Sequence, residues 1–156
     1  MIAVIQRVNH AEVIADGVLS GKIGKGLYIL LGVERADSEA DAIALAEKIS
    51  KLRIFSDENG KMNLSVIDIG AEVLSVSNFT LCANYAHGNR PDYFGAEAPE
   101  KAKALYLFFN EEISKRTGKC EAGIFGADMQ TTMATDGPVT IFMDSYVLLR
   151  KERKPV

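Results

Sequence analysis

Apolar and polar residues alternate along the opening of the chain with the period of a pleated strand. Residues 1–8 (MIAVIQRV) and 11–19 (AEVIADGVL) each read as a short strand, and 26–33 (GLYILLGV) as a third, more deeply buried one. Gly17, Gly21, Gly24 and Gly26 punctuate the turns between them. The period then changes. Ala42, Leu45, Ala46, Ile49 and Leu52 recur at helical spacing, Asp37 or Ser38 can cap that helix, and Glu39 and Asp41 suit the positive end of its dipole. "RIFSDENGKMNLSV" reads as a strand, a tight turn at Asp57-Glu58-Asn59-Gly60 and a return. Residues 71–81 (AEVLSVSNFTL) are strongly β-prone, and the loop "CANYAHGNRPDYFG" follows, broken by Gly88, Pro91 and Gly95.

A second helix is expected near 97–117. Pro99 fits its first turn, and Ala98, Ala102, Leu105, Phe109 and Ile113 line one face. A strand near 119–134 comes next, and then "ATDGPVTIF", residues 134–142. Here a Gly-Pro pair sits where a strand should begin, although proline brings no N–H to a sheet and glycine weakens a strand interior. Strands outnumber helices and come mostly as neighbours rather than alternating with them. The expected fold is therefore α+β: a single domain over residues 1–156 with a curved, barrel-like, mostly antiparallel sheet and two main helices packed on it. The tail, 146–156, reads as a frayed terminus.

Composition narrows the function classes. Hydrophobic residues are 47% and charged residues 25% of the 156, an ordinary globular profile. No apolar run nears the ~20 residues of a membrane span, and the opening lacks the apolar stretch of a secretion signal, so a cytoplasmic location is expected. Net charge is -3, so any nucleic acid should be held over a small part of its length, with few phosphates neutralised. Cys82 and Cys120, with His10 and His87, show no metal-ligand spacing. "GKIGKG" lacks the register of a phosphate-binding loop, and "DENG" lacks the later acidic ligand of a calcium loop. No nucleophile elbow is present.

Two stretches hold more. In "SNFTL", Ser77, Asn78 and Thr80 set small polar groups at the end of a Val/Leu strand. Either they bond local backbone, or the backbone N–H groups of the bend form an oxyanion site. In "RPDYF" and "GIFGADM", Tyr93, Phe94, Phe125 and Met129 are either core or the walls of a pocket that stacks a nucleobase.

With "MIAVIQRV", "GKIGKGLYILLGVE", "RIFSDENGKMNL", "VLSVSNFTL", "HGNRPDYF", "FGADMQ" and "DGPVT" in this order and spacing, residues 1 to about 145 resemble the D-aminoacyl-tRNA deacylases. The resemblance implies an enzyme that hydrolyses the ester joining a D-amino acid, or glycine, to the 3′ end of tRNA. It also implies a homodimer whose active sites are completed across the subunits, with no metal and no organic cofactor. Catalysis would fall to Ser77, Asn78, Phe79 and Thr80, with the Phe79 and Thr80 amides facing the oxyanion. Gly137 and Pro138, joined by a cis peptide and followed by Val139 and Thr140, would enter the partner's site and reject L-residues with backbone. Phe125 and Met129 match the pocket for the terminal adenine, and Arg7 a position that supports the Gly-Pro element. Two positions depart from the family pattern: Asn78 replaces a glutamine, and Thr135 an asparagine. Two alternatives stay open: a sibling tRNA-editing deacylase with relaxed chirality, and a catalytically silent module that binds the tRNA end.

Overall fold

The structure, a computed structural model, describes residues 1–150. Its organising element is the long strand β1 (Ile2–Ala15), which has neighbours on both edges. On one edge lies β8 (Met129–Asp144), antiparallel along nearly the whole length. On the other, β3 (Gly26–Gly32) pairs with residues 2–8 and β2 (Val18–Ile23) with residues 11–15, both antiparallel. β6 (Glu72–Ser77) continues the sheet parallel to β3, and β7 (Cys120–Ala122) parallel to β6. A small hairpin, β4 (Phe55–Ser56) with β5 (Met62–Leu64), stands apart. The helices are α1 (Glu39–Ser50), α2 (Pro99–Thr117) and the short α3 (Ser145–Leu149).

The expected α+β class with a curved, barrel-like sheet is what the chain adopts. Three pairings are antiparallel (β1 with β2, β3 and β8) and two parallel (β3–β6, β6–β7), so the sheet is mixed.

Four local expectations are corrected. Residues 1–8 and 11–19 are not two strands: β1 runs through Asn9 and His10, and the chain reverses at Asp16-Gly17, both with positive φ (48° and 82°). An Asp-Gly pair in that conformation is a two-residue hairpin turn, a stronger signal than the polar Asn9-His10. Secondly, the run 71–81 leaves the sheet at Ser77 and tightens into a 3₁₀ turn, Phe79–Cys82. Thirdly, 119–134 is broken by the loop 123–128, and β8 starts at Met129 and passes through Gly137-Pro138 without ending. Fourthly, the tail begins as a helix, Ser145–Leu149, which takes in 146–149 of the stretch expected to fray; residues 151–156 lie outside the described residues.

Two slips in the β1–β8 register explain how proline sits inside a strand. Gln6 faces Thr140 and Val8 faces Thr135, so Arg7 alone opposes the four residues Asp136–Val139. Pro138 thus occupies a bulge that asks no ladder N–H of it. The second slip leaves Asn9 extra on β1, between the pairs Val8↔Thr135 and His10↔Ala134. That bulge reverses the alternation, which is why Val8, Ala11 and Val13 share one face.

The two faces carry two cores. Ala3, Ile5, Leu27, Ile29 and Leu31 look toward α1 (Leu45, Ile49) and α2 (Leu105, Phe109, Ile113). Val8, Ala11, Val13, Tyr28, Leu74 and Val76 form a smaller core on the other face, joined by Ile23 of β2. β2 curls over it: Ser20 Oγ donates to the Ala122 carbonyl at 2.9 Å, and a Cβ on Gly21 would meet Leu74 Cδ1 at 2.9 Å. Burying each Leu, Ile or Phe stabilises the fold by about 1.5–3 kcal/mol.

Tyr106 of α2 locks helix to sheet. Fully buried, its hydroxyl shares its proton between the carbonyls of Ser75 (2.9 Å) and Gly123 (3.2 Å), and burial pushes its pKa above the usual phenol value. Tyr106→Phe keeps the ring and removes the donor; urea denaturation should register a loss of about 1–2 kcal/mol.

Candidate active site

Three parallel strands, β3, β6 and β7, end at one edge of the sheet, and the chain leaving each of them builds that edge. Ser77 closes β6 opposite Leu31, half-buried. The Asn78 N–H donates to the Leu31 carbonyl at 2.8 Å, and the 3₁₀ turn folds down across Gly32. A Cβ at Gly32 would lie 3.0 Å from Leu81 Cβ, 3.1 Å from the Asn78 carbonyl oxygen and 3.2 Å from Cys82 Sγ, so a side chain there would push the turn away. Sequence reading missed Gly32; its signal is a lone glycine inside the apolar run "YILLGV".

Asn78 caps the turn. Its Oδ1 accepts from the Thr80 N–H at 3.2 Å and from Thr80 Oγ1 at 2.5 Å. Asparagine is the right length to bond backbone two residues on, so the capping follows from the shorter side chain at this position. The Thr80 amide, one of the expected pair of oxyanion donors, is engaged by the Asn78 side chain; the Phe79 N–H is the other member of that pair. The Thr80 hydroxyl meets an amide oxygen, which is no base.

The loop after β7 belongs to the same edge. The Gly123 N–H donates to the Ser75 carbonyl at 2.9 Å, and Phe125 lies with its ring 6.1 Å from that of Tyr106. Met129, at the start of β8, lies over Gly123: a Cβ there would stand 2.6 Å from Met129 Sδ. The loop closes where the Asp16 N–H donates to the Asp128 carbonyl at 2.9 Å. Phe125 and Met129 are both half-buried, Phe125 packed against the main core and Met129 against the smaller one.

Gly137, Pro138, Val139 and Thr140 are elsewhere. The Gly137–Pro138 peptide is cis, Gly137 has φ +132°, and Gly137, Pro138 and Thr140 are exposed while Val139 packs into the main core. Arg7, buried, holds the segment. Its Nε donates to the Asp136 carbonyl at 3.2 Å and pairs with Asp136 Oδ2 at 3.0 Å, and its Nη1 donates to the Ile54 carbonyl at 2.6 Å. Asp136 and Ile54 were not singled out from the sequence; the charge pair Arg7/Asp136 is 129 residues apart and leaves no local signature. Arg7 pairs with Leu27, near the amino end of β3, whereas β6 ends level with Leu31. At ~3.3 Å per residue the two motifs stand on the order of 13 Å apart along the strands, with β1 and β3 between β8 and β6.

Other nucleophiles are poorly placed. The Cys82 thiol donates to the Val33 carbonyl at 3.5 Å, and burial pushes the Cys120 thiol up to about 12. His10 and His87 are both exposed, one on β1 and one in the 83–96 loop.

Comparison with known proteins covers nearly the whole chain. Residues 4–144 match the family model described as D-Tyr-tRNA(Tyr) deacylase. A D-aminoacyl-tRNA deacylase from Persephonella marina is 53% identical over 95% of this chain and 100% of its own length. One from Koribacter versatilis is 50% identical over 93% of this chain and 97% of its own. Among solved structures, a c-Myc DNA unwinding element binding protein superposes with a TM-score of 0.86 at 40% identity, covering 92% of this chain and 98% of that one. On this match and these relatives, the chain belongs to the D-Tyr-tRNA(Tyr) deacylase family.

Proposed function

We propose that this chain hydrolyses the ester of D-aminoacyl-tRNA, releasing the D-amino acid and free tRNA. The observation that carries the reading is the set of relatives of that name, 50–53% identical along nearly their entire length. In the proposed site, water attacks the ester carbonyl at the edge formed by Ser77–Thr80. The Phe79 N–H stabilises the developing oxyanion, a role in which a fixed amide donor contributes a few kcal/mol to the transition state. Asn78, tied to Thr80, fixes the turn that aims that amide. The terminal adenine lies against Phe125 and Met129, and glycine esters are accepted because nothing in such a site needs a side chain. No helix among the described residues is long and apolar enough to cross a membrane; the proposed place of work is the cytoplasm, where charged tRNA is found.

The Gly-Pro bulge acts on a second copy of the chain. Two observations support this: the bulge is exposed, and in its own subunit it is displaced from Ser77–Thr80 by both the length and the width of the sheet. The β8 half beyond it also presents an apolar face, with Phe142 64% exposed opposite Val4 and half-buried Leu30 nearby. Covering that face with another copy gives a homodimer in which backbone carbonyls of Gly137 and Pro138 meet the substrate's α-carbon. Backbone cannot rotate aside, so an L side chain is rejected whatever its identity.

Rates on D-Tyr-tRNA and L-Tyr-tRNA test the proposal directly. The D-ester should be hydrolysed at least about a hundredfold faster, equivalent to about 2.7 kcal/mol of discrimination. Equal rates would identify a deacylase with relaxed chirality, and no turnover with retained tRNA binding a silent module.

A further inference from the structure

The loop between the 3₁₀ turn and α2, residues 83–96, is pinned at its neck and crowded with exposed aromatic rings. Asn84 and Asp92 exchange backbone hydrogen bonds of 2.8 and 2.9 Å, the Arg35 N–H donates to the Gly95 carbonyl at 2.9 Å, and the Glu97 N–H to the Val33 carbonyl at 3.0 Å. The Ala86 N–H donates to Asn84 Oδ1 at 3.1 Å and the Phe94 N–H to Asp92 Oδ1 at 3.2 Å, which stiffens the two sides. On this frame Tyr85 is 81% exposed and Phe94 69%, while Tyr93 meets Phe79 edge-on with ring centroids 4.9 Å apart. Phe79 is itself 59% exposed, so the Phe79–Tyr93 pair joins the loop to the Ser77–Thr80 edge. A soluble chain rarely leaves so many large aromatics uncovered on one loop without a partner for them. Arg90, at the tip, is exposed and makes no ion pair among the described residues.

We propose that this loop is a stacking platform for the unpaired nucleotides that precede the terminal adenosine of tRNA. The inference rests on the deacylase reading and extends it from the last nucleotide to those before it. Flat, exposed rings accept any base face, and a nearby guanidinium meets the phosphate between two of them. The platform begins where the ester must sit, so a single strand whose last base lies against Phe125 and Met129 runs out over it. It supplies affinity without touching the reacting atoms, and its loss is expected in KM rather than in kcat.

The test compares D-Tyr-tRNA with the D-tyrosyl ester of adenosine, alongside binding of uncharged CCA RNA. In Phe94→Ala, and again in Tyr85→Ala, KM for D-Tyr-tRNA should rise about tenfold with kcat held, and CCA RNA should bind about tenfold more weakly. Hydrolysis of the adenosine ester should change by less than about twofold, since that substrate has no preceding nucleotide to stack on the loop. Phe94→Leu should behave like Phe94→Ala, because bulk without a π-face does not replace the ring. Unchanged KM and CCA binding would overturn the platform, as would equal losses on both esters. Dissociation of the variants to monomers in sedimentation would also overturn it, assigning the rings to a subunit contact. A wild-type protein that hydrolyses neither ester, yet loses CCA RNA on Phe94→Ala, would remove the deacylase reading and leave the platform standing.

Discussion

Two inactive variants of this chain, mixed and allowed to exchange subunits, should regain about one quarter of wild-type activity. The first is Gly137→Val. Gly137 has φ +132°, and a Cβ there would stand 2.8 Å from the Val139 N and 2.9 Å from Val139 Cγ2, so a β-branched residue forces the bulge into another path. Its Ser77–Thr80 edge, on strands the bulge does not touch, stays intact. The second is Asn78→Pro, which removes both the cap on Thr80 and the N–H that donates to Leu31 at 2.8 Å, while its bulge is untouched. Each homodimer should fall by about a hundredfold or more, the first because a displaced bulge no longer seats the substrate's α-carbon and the second because the Phe79 amide is no longer aimed at the oxyanion. In the mixed dimer one site combines the sound edge of one chain with the sound bulge of the other, and the opposite site has both defects. Random exchange makes about half the dimers mixed, each with one working site, hence about one quarter. D-Tyr-tRNA hydrolysis before and after exchange reads the result. No recovery, with mixed dimers confirmed by mass, would place both motifs in a site made by a single chain.

That experiment turns on what the sequence could and could not carry. The elements themselves were legible wherever a period ran uninterrupted: the apolar stripe of α1, its start at Asp37 or Ser38 (the structure caps it at Ser38, whose N–H donates to Asp41 Oδ2 at 3.0 Å), and the face of α2 from Ala102 to Ile113. The Asp57–Gly60 turn was legible for the same local reason, since the Asp57 side chain bonds the Asn59 and Lys61 amides within its own loop. Bulges were not. Asn9 and Asp136–Val139 interrupt the alternation in ways that only the partner strand defines, so β1 read as two strands and β8 as a strand that began late. Within the site, the residue types at Ser77–Thr80 and Gly137–Pro138 were visible, whereas the capture of the Thr80 amide by Asn78 depends on a side-chain torsion. Arg7 was singled out; the Ile54 carbonyl and Asp136 carboxylate it joins are tertiary, far off in the chain, and invisible to any local pattern.

Arg7 therefore carries the second large effect. One buried guanidinium ties three parts of the molecule: β1, the segment leading into β4 through the Ile54 carbonyl at 2.6 Å, and the bulge through both oxygens of Asp136 that it reaches. Arg7→Met preserves the length and the apolar stem but leaves the Ile54 carbonyl without its donor and Asp136 without its counter-charge. Hydrogen bonds to charged groups contribute roughly 1.5–3 kcal/mol each, so urea denaturation should show a loss of about 2–4 kcal/mol. Hydrolysis of D-Tyr-tRNA should drop by more than about tenfold below the unfolding range, because a bulge free to shift by an ångström no longer meets the substrate where it must. Arg7→Lys should recover little of either: a single ammonium cannot address two directions as the planar fork does. Asp136→Asn, which keeps the backbone contact to Arg7 and removes only the charge pair, should cost less than half as much stability as Arg7→Met. If Arg7→Met retained full activity despite its stability loss, the bulge would be set by Val139 in the core rather than by the guanidinium. If Asp136→Asn matched Arg7→Met in both measurements, the carboxylate rather than the carbonyls would be the anchor.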